Sequence, residues 1–127
     1  MNDYDDQLQR FINGYIDAIL WTGFTISEDG TFESDDLREA AGLLTTESLK
    51  EITADCSDFL NCAIHLMVGL DAYDCGIDFA LTRNGHGTGF WDRGLGAIGE
   101  ELASLSRPYG ASNAYYMANT HQVVVEE

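Results

Sequence analysis

Apolar side chains recur along the first part of the chain at the spacing of an amphipathic helix. Between Asp5 and about Thr22 the apolar positions are Leu8, Phe11, Ile12, Tyr15, Ile16, Ile19 and Leu20. Residues spaced i, i+3, i+4 and i+7 lie on one face of a helix with 3.6 residues per turn. Aspartates at the start of this stretch favour the positive end of a helix dipole. The pattern predicts a long first helix that buries one face.

The same spacing predicts two further helices. One runs from about Thr46 to Val68, and the other from Leu95 to about Arg107. Ser48 and Glu51 have the spacing of a capping box, with the preceding threonines as alternative caps. The acidic stretch between Gly23 and Leu44 is less regular: it is compatible with a short hairpin or a loop, followed by a brief helical turn.

Short apolar runs in the second half of the chain predict strands. Phe79–Thr82 follows an acidic turn, Asp71–Asp78, and is apolar enough for a buried strand. Two more strands, Ala114–Met117 and Gln122–Val125, flank a turn and predict a C-terminal β-hairpin. The expected fold class is α+β, with about three helices packed on a small antiparallel sheet. The strand order does not follow from the sequence.

Length and composition favour one domain over residues 1–127. The chain has 127 residues, 45% of them hydrophobic, and this is enough for one core. No apolar run reaches the roughly 20 residues of a membrane helix, and the N-terminus lacks the basic start of a secretory signal. We therefore expect a cytoplasmic protein without membrane contact. The cysteines Cys56, Cys62 and Cys75 are expected to be reduced.

The charge of the chain is strongly acidic and unevenly distributed. There are 22 Asp and Glu against 6 Lys and Arg, and residues 1–78 hold 17 of the acids and 3 of the bases. Such a field repels nucleic-acid phosphates and favours basic protein surfaces. Solubility alone is an equal explanation of the acidity. The acidic face expected on the first two helices and the segment between them comprises Asp17, Glu28, Asp29, Glu33, Asp35, Asp36, Glu39, Glu51, Asp55 and Asp58.

One segment, Asp78 to Gly94, departs from every periodic pattern described above. Its glycines are spaced by two residues and could turn successive N–H groups inward as an anion-binding nest. Its histidine titrates near neutral pH. The residues expected to bind a ligand or partner are Arg83, Asn84, Gly85, His86, Gly87, Gly89, Trp91, Asp92 and Arg93.

The string from Asp78 to Gly94, with the pattern DFxLTRNGHGxGFWDRG, resembles a family of small bacteriophage and prophage proteins of unassigned function. Residues 54–60 also resemble the second helix of that family, so the likeness extends over about residues 50 to 110. The resemblance implies a phage accessory gene as the origin of this chain. It implies no catalytic residues.

A purely structural explanation competes with the functional one for this segment. Asp78, Arg83, Asp92 and Arg93 could form a buried ion-pair network, with Phe90 and Trp91 in the core and the glycines in turns. In that case no ligand is needed to explain the residues. Both explanations stay open at the level of the sequence.

Known catalytic and cofactor motifs do not match the chain. The glycine spacing fits neither a Walker loop nor a dinucleotide loop, and no nucleophile elbow is present. A zinc site built from Cys62, His65, Cys75 and His86 lacks a second close pair of ligands. We therefore expect no cofactor and no metal. An enzyme would have to use His86, Asp92 and Arg83.

These observations favour a non-enzymatic binding protein. The first hypothesis is that the acidic surface binds a host protein with a basic surface, inhibiting a defence or nucleic-acid-handling factor. The alternative is that the loop 83–94 binds and sequesters a small anionic ligand such as a nucleotide. We expect a monomer or weak homodimer that does not bind nucleic acid directly.

Overall fold

The computed structural model describes residues 3–27, 37–85, 87–117 and 120–126, and it confirms the α+β class. The α-helices are α1 (Asp3–Gly23), α2 (Leu37–Gly42), α3 (Thr46–Ala63), α4 (Ala72–Arg83) and α5 (Ala97–Ser106). The strands are β1 (Phe24–Ser27), β2 (Asn113–Met117) and β3 (Gln122–Glu126). Short 3₁₀ turns occupy Ile64–Leu66, Phe90–Asp92 and Arg107–Tyr109.

The three helices predicted from apolar spacing are present as α1, α3 and α5. The cap of α3 is Thr45, whose side chain accepts a hydrogen bond from the backbone N–H of Ser48 at 3.1 Å. Ser48 is buried and its hydroxyl oxygen accepts from the N–H of Val125 at 2.9 Å. The hydrogen bond of Ser48 thereby joins the first turn of α3 to β3. The N-cap is one of the alternative threonines and not Ser48.

The prediction of a strand over Phe79–Thr82 is wrong, because these residues lie in the second half of α4. The preceding acidic run is not a turn but the start of the same helix: Asp71 is the N-cap and accepts from the N–H of Asp74 at 3.0 Å. Most residues from Cys75 to Arg83 are buried, so the second half of the helix has no exposed polar stripe. A short apolar run of this kind does not distinguish a buried helix from a strand.

Helices α1 and α4 pack backbone against backbone. A Cβ atom placed on Gly14 would lie 2.0 Å from the carbonyl oxygen of Tyr73, and one placed on Gly76 would lie 2.0 Å from that of Phe11. Only glycine permits so close an approach, since any side chain would have to push the two helices apart. The two glycines therefore determine how near α4 comes to α1.

The centre of the core is an aromatic cluster to which α1, α3, α4 and the Phe90–Asp92 turn contribute. Phe11, Phe59, Phe79 and Phe90 are fully buried, and the rings of Phe59 and Phe79 stack with centroids 4.3 Å apart. Tyr109 meets the ring of Phe79 edge-on at 5.1 Å. Phe79 and Phe90 belong to the unusual segment, so that segment supplies part of the hydrophobic core.

The sheet has the order β1-β2-β3. The predicted C-terminal hairpin is confirmed, with β2 and β3 antiparallel and Ala114 opposite Val125. The third strand is β1, which pairs with β2 in parallel, Phe24 opposite Ala114. The expectation of a wholly antiparallel sheet is therefore wrong for this edge. Parallel strands need a long crossover, and the chain between β1 and β2 contains α2 to α5. Residues 28–36, within the predicted hairpin or loop between Gly23 and Leu44, lie outside the described residues.

Candidate functional site

Arg83 lies in the last turn of α4 and points into the molecule rather than towards solvent. Its guanidinium nitrogens donate to the carboxylate of Asp55 and to the hydroxyl of Tyr15, each at 2.9 Å. They also donate to the backbone carbonyls of Tyr109 at 3.0 Å and Gly110 at 2.7 Å. The Arg83 side chain is fully buried. Its position joins α1, α3, α4 and the chain that leads into β2.

Aromatic rings surround this buried cation. The guanidinium carbon of Arg83 lies 5.5 Å from the ring centroids of Phe79 and Tyr109, and 5.9 Å from that of Tyr15. A cation at this distance is attracted by the ring quadrupole. Burial raises the pKa of the Tyr15 hydroxyl despite the opposing effect of the Arg83 charge. Arg83 is thus a central packing residue.

Asn84 and Gly85 form the end of α4. The side-chain oxygen of Asn84 accepts from the backbone N–H of Ser112 at 2.6 Å, which fastens the helix end to the segment before β2. Gly85 has φ +71° and donates its N–H to the carbonyl of Thr82 at 3.1 Å. Both residues therefore have a local structural role in ending the helix.

Asp92 and Gly89 close the glycine-rich loop on itself. The carboxylate of Asp92 accepts from the N–H of Gly89 and from the hydroxyl of Thr88, both at 3.0 Å. The Gly89 hydrogen bond is the main reason why the pKa of Asp92 lies below its ordinary value. The N–H of Gly89 thus already faces an anion of the protein itself, and that of Gly85 faces Thr82. Gly87 is exposed.

Gly89 also packs too tightly for a side chain. A Cβ atom there would lie 2.3 Å from the hydroxyl oxygen of Thr82, and that oxygen accepts from the N–H of Phe90 at 3.2 Å. The second half of the loop is therefore held against α4. This close contact directs Phe90 into the core.

Arg93 forms an ion pair with Asp78 on α4. Two guanidinium nitrogens approach one carboxylate oxygen at 2.8 and 3.0 Å. The pKa of Asp78 is raised because the cost of burying its charge exceeds the stabilisation by Arg93. The hydrogen bond that Arg93 donates to this carboxylate raises the pKa of Arg93. This pair belongs to the network considered from the sequence, whereas Arg83 binds Asp55, a residue outside that network.

The two aromatic residues of the motif differ in burial. Phe90 is fully buried, whereas Trp91 is 43% exposed, so the expectation that both lie in the core is wrong for Trp91. The indole nitrogen of Trp91 would lie 3.4 Å from a Cβ on Gly89, so the ring rests near that glycine. His86 lies outside the described residues. Among the candidate residues that the structure describes, Arg83, Asn84 and Asp92 each contact a different part of the protein.

Several carboxylates of the expected acidic face have partners within the protein. The carboxylate of Asp55 binds Arg83, that of Asp17 accepts from the Tyr73 hydroxyl at 2.6 Å, and that of Asp58 accepts from the Tyr109 hydroxyl at 2.5 Å. Burial and the bond to Asp58 raise the pKa of Tyr109. Residues 28–36 of that face lie outside the described residues. Glu51 and Asp58 are exposed, so this part of the expected acidic face reaches the surface even though Asp58 has an internal partner.

A cleft of about 380 Å³ opens between α4 and the chain that follows the glycine-rich loop. Its lining residues are Leu70, Asp71, Asp74, Cys75, Ile77, Asp78, Phe90, Arg93 and Leu95. Burial raises the pKa of the Cys75 thiol to about 12, so the thiol is neutral at physiological pH. Arg93 is the one residue of the expected site among the lining residues.

Sequence reasoning missed the α4 side of this cleft because it interpreted residues 71–78 as a turn. The available signal is the spacing of Asp71, Asp74, Cys75 and Asp78, which is i, i+3, i+4 and i+7. This spacing places the four side chains on one face of a helix. The same spacing predicted α1, where the positions are apolar, whereas three of the four positions in α4 are aspartates.

Carboxylates from the starts of α1 and α4 extend the acidity beyond the cleft. A neighbouring depression of about 320 Å³ is lined by Asp3, Asp6, Gln7, Arg10, Leu70, Asp71 and Ala72. It shares Leu70 and Asp71 with the cleft, so the two form one continuous area. We define the acidic surface as Asp3, Asp6, Asp71 and Asp74, all of which are exposed. Arg10 forms an exposed ion pair with Asp6 at 3.0 Å.

Comparisons with known proteins identify no relative. No protein-family model, curated protein or solved structure matches the chain. Within the described ranges, His, Cys, Asp and Glu residues form no group of three that could hold a metal ion. No helix in the same part of the chain is long and apolar enough to cross a bilayer.

Proposed function

We propose that the chain is a phage or prophage accessory protein that binds a basic host protein through its acidic surface, without catalysing a reaction. In this proposal binding inhibits a defence or nucleic-acid-handling factor of the host. The phage origin is supported by the resemblance of the segment 78–94 described above. The binding function is supported by the charge and geometry of α1 and α4.

One observation carries the proposal: the starts of α1 and α4 bring the carboxylates of Asp3, Asp6 and Asp71 together around a shared depression, and Asp74 lines the adjoining cleft. Asp3 and Asp71 are 68 positions apart in the sequence, so their juxtaposition results from the fold. Negative charges placed together make the local electrostatic potential more negative, and this potential attracts a cationic partner at long range. Such steering accelerates association and selects partners of opposite charge.

The geometry favours binding over catalysis. Two of the three residues that an enzyme would use have other partners: Arg83 is buried against Asp55, and Asp92 caps the N–H of Gly89. The anion-sequestering alternative is also less favoured. The N–H groups of Gly85 and Gly89 donate to acceptors of the protein itself, and the cleft beside the loop is lined mainly by acidic and apolar residues.

Affinity capture from a bacterial lysate with equal-charge variants tests this proposal. The test variant is Asp71→Asn/Asp74→Asn, which retains a side chain able to cap α4. The control is Glu100→Gln/Glu101→Gln on α5, two exposed residues whose replacement gives the same net charge. Retained proteins are eluted with a salt gradient and identified by mass spectrometry.

The expected result is a basic protein retained by the wild type and by the α5 control, and lost from the α4 variant. It should elute as the salt concentration rises, because screening weakens exposed charge pairs. Equal loss from both variants would show that net charge alone is responsible. Retention of duplex DNA, or of no basic protein, would contradict the proposal.

A further inference from the structure

The shape and charge of the cleft specify what kind of group enters it. Resting on the proposed function, we infer that the cleft between α4 and the Phe90–Leu95 segment receives one long cationic side chain, a lysine or arginine, of the basic partner. This inference assigns a binding subsite to the cleft. Neither the overall charge of the chain nor the glycine-rich motif explains why the cleft is present.

The walls of the cleft match the stem of such a side chain. Leu70, Ile77 and Leu95 line it together with the buried ring of Phe90 and the neutral thiol of Cys75. Lysine and arginine carry three or four methylene groups below the charged head, and these groups pack on apolar surface while the head stays solvated. A short polar side chain, or a compact anion, would leave these apolar walls without contact.

The charges of the cleft match the head of the side chain. Asp71 and Asp74 are exposed at the α4 side, and Arg93 is the one cation among the lining residues. Because Arg93 is paired with Asp78 at 2.8 Å, the cleft keeps an excess of negative charge from the two exposed aspartates. A phosphate would meet these two carboxylates and be repelled. A guanidinium or ammonium group would be attracted.

The size of the cleft is sufficient for one side chain rather than for a folded segment. A volume of about 380 Å³ is at the lower end of the range for small-ligand pockets. The adjoining depression at the start of α1 continues the negative charge outside it. A basic segment of the partner could thus insert one side chain and lay further cations along Asp3 and Asp6.

A titration monitored by amide NMR tests the inference with a defined probe. The probe is an acetylated and amidated pentapeptide with a central arginine flanked by glycines, and its matched control has citrulline, which has nearly the same shape and no charge. We expect saturable shifts of the amides of residues 70–78 and 90–95 with the arginine peptide. The citrulline peptide should produce none.

Two protein variants locate the effect. Asp74→Asn should weaken the affinity for the arginine peptide by about threefold or more, as expected for loss of an accessible charge pair. Leu95→Trp should fill the cleft and abolish the saturable shifts, and its spectrum also shows whether the fold is retained. Glu100→Gln/Glu101→Gln should leave the titration unchanged. Equal shifts with the citrulline peptide, or wild-type binding by Asp74→Asn, would overturn the inference.

The same variants separate this inference from the proposed function. If a basic host protein is retained by the wild type and equally by Leu95→Trp, the acidic surface binds it without the cleft. In that case the inference fails and the proposed function stands. If the arginine peptide binds as expected but no basic protein is retained from the lysate, the cleft binds a cationic side chain and the proposed function fails.

Discussion

At the residue scale, the unusual segment combines structural roles that its composition does not reveal. Arg83, Asn84, Gly89 and Asp92 each have a defined partner inside the protein. The sequence indicates that this segment departs from regular patterns. It does not identify the partner of Arg83, because Asp55 lies 28 positions away on another helix and several carboxylates are equally available along the chain.

Replacing the buried arginine should severely destabilise the protein. Arg83→Met removes the guanidinium donor from the carboxylate of Asp55 and from two backbone carbonyls, and loss of one partner of a buried ion pair costs roughly 3–5 kcal/mol. The matched control is Arg107→Met, since Arg107 is exposed; its effect should be within about 0.5 kcal/mol. Urea unfolding measures both. An Arg83 variant as stable as the control would contradict the role described for this residue.

Two aspartates of the segment should change stability with pH in opposite directions. The pKa of Asp78 is raised by burial, so its contribution to stability is present at acid pH and decreases as the pH rises above its ordinary value of 3.8. Asp78→Asn should therefore gain stability relative to the wild type as the pH rises from about 4. Unfolding by urea across this pH range measures the difference.

Asp92 supplies the matched comparison. Its pKa is lowered, chiefly by the Gly89 N–H, so its contribution is present above the ordinary value of 3.8 and is lost as the pH falls through the lowered pKa. Asp92→Asn should lose stability relative to the wild type at neutral pH and approach it in acid. Parallel pH profiles for the two variants would contradict this assignment.

At the element scale, apolar periodicity predicts the helices that bury one face and fails for α4, which is buried on several sides. α1, α3 and α5 follow the apolar spacing of the sequence. α4 does not, because buried residues occupy most of its surface from Cys75 to Arg83. β1 is missed as a definite strand because its partner β2 lies about 90 positions further along the chain. Local patterns contain no information about such a pairing.

The close contact of α1 and α4 should not tolerate even a methyl group. Gly14→Ala and Gly76→Ala place a Cβ atom 2.0 Å from a carbonyl of the opposite helix, so the helices must separate. Overpacking of this kind costs about 1–3 kcal/mol. Gly42→Ala is the control, because nothing lies within 4 Å of its Cβ position. Thermal melting should show a fall in Tm for the first two variants and none for the third.

At the scale of the whole molecule, the fold converts a diffuse negative charge into a localised surface. The sequence predicts acidity over residues 1–78, but some of these carboxylates bind partners inside the protein, such as Asp17, Asp55 and Asp58. The acidic surface lies where the start of α4 meets the first half of α1. Its position depends on the packing of two helices, one of which apolar periodicity does not predict.

Site-specific photo-crosslinking tests the central claim, that a basic partner binds at this surface. A photoreactive amino acid replaces Val68, which is 85% exposed and precedes the cleft residue Leu70. The control replaces Thr53 on α3, which is also exposed. After irradiation in a bacterial lysate, position 68 should crosslink to a lysine- or arginine-rich segment of one protein, at an efficiency that falls with salt. Crosslinks of equal yield from position 53, or crosslinks from position 68 to acidic or neutral segments, would contradict the account.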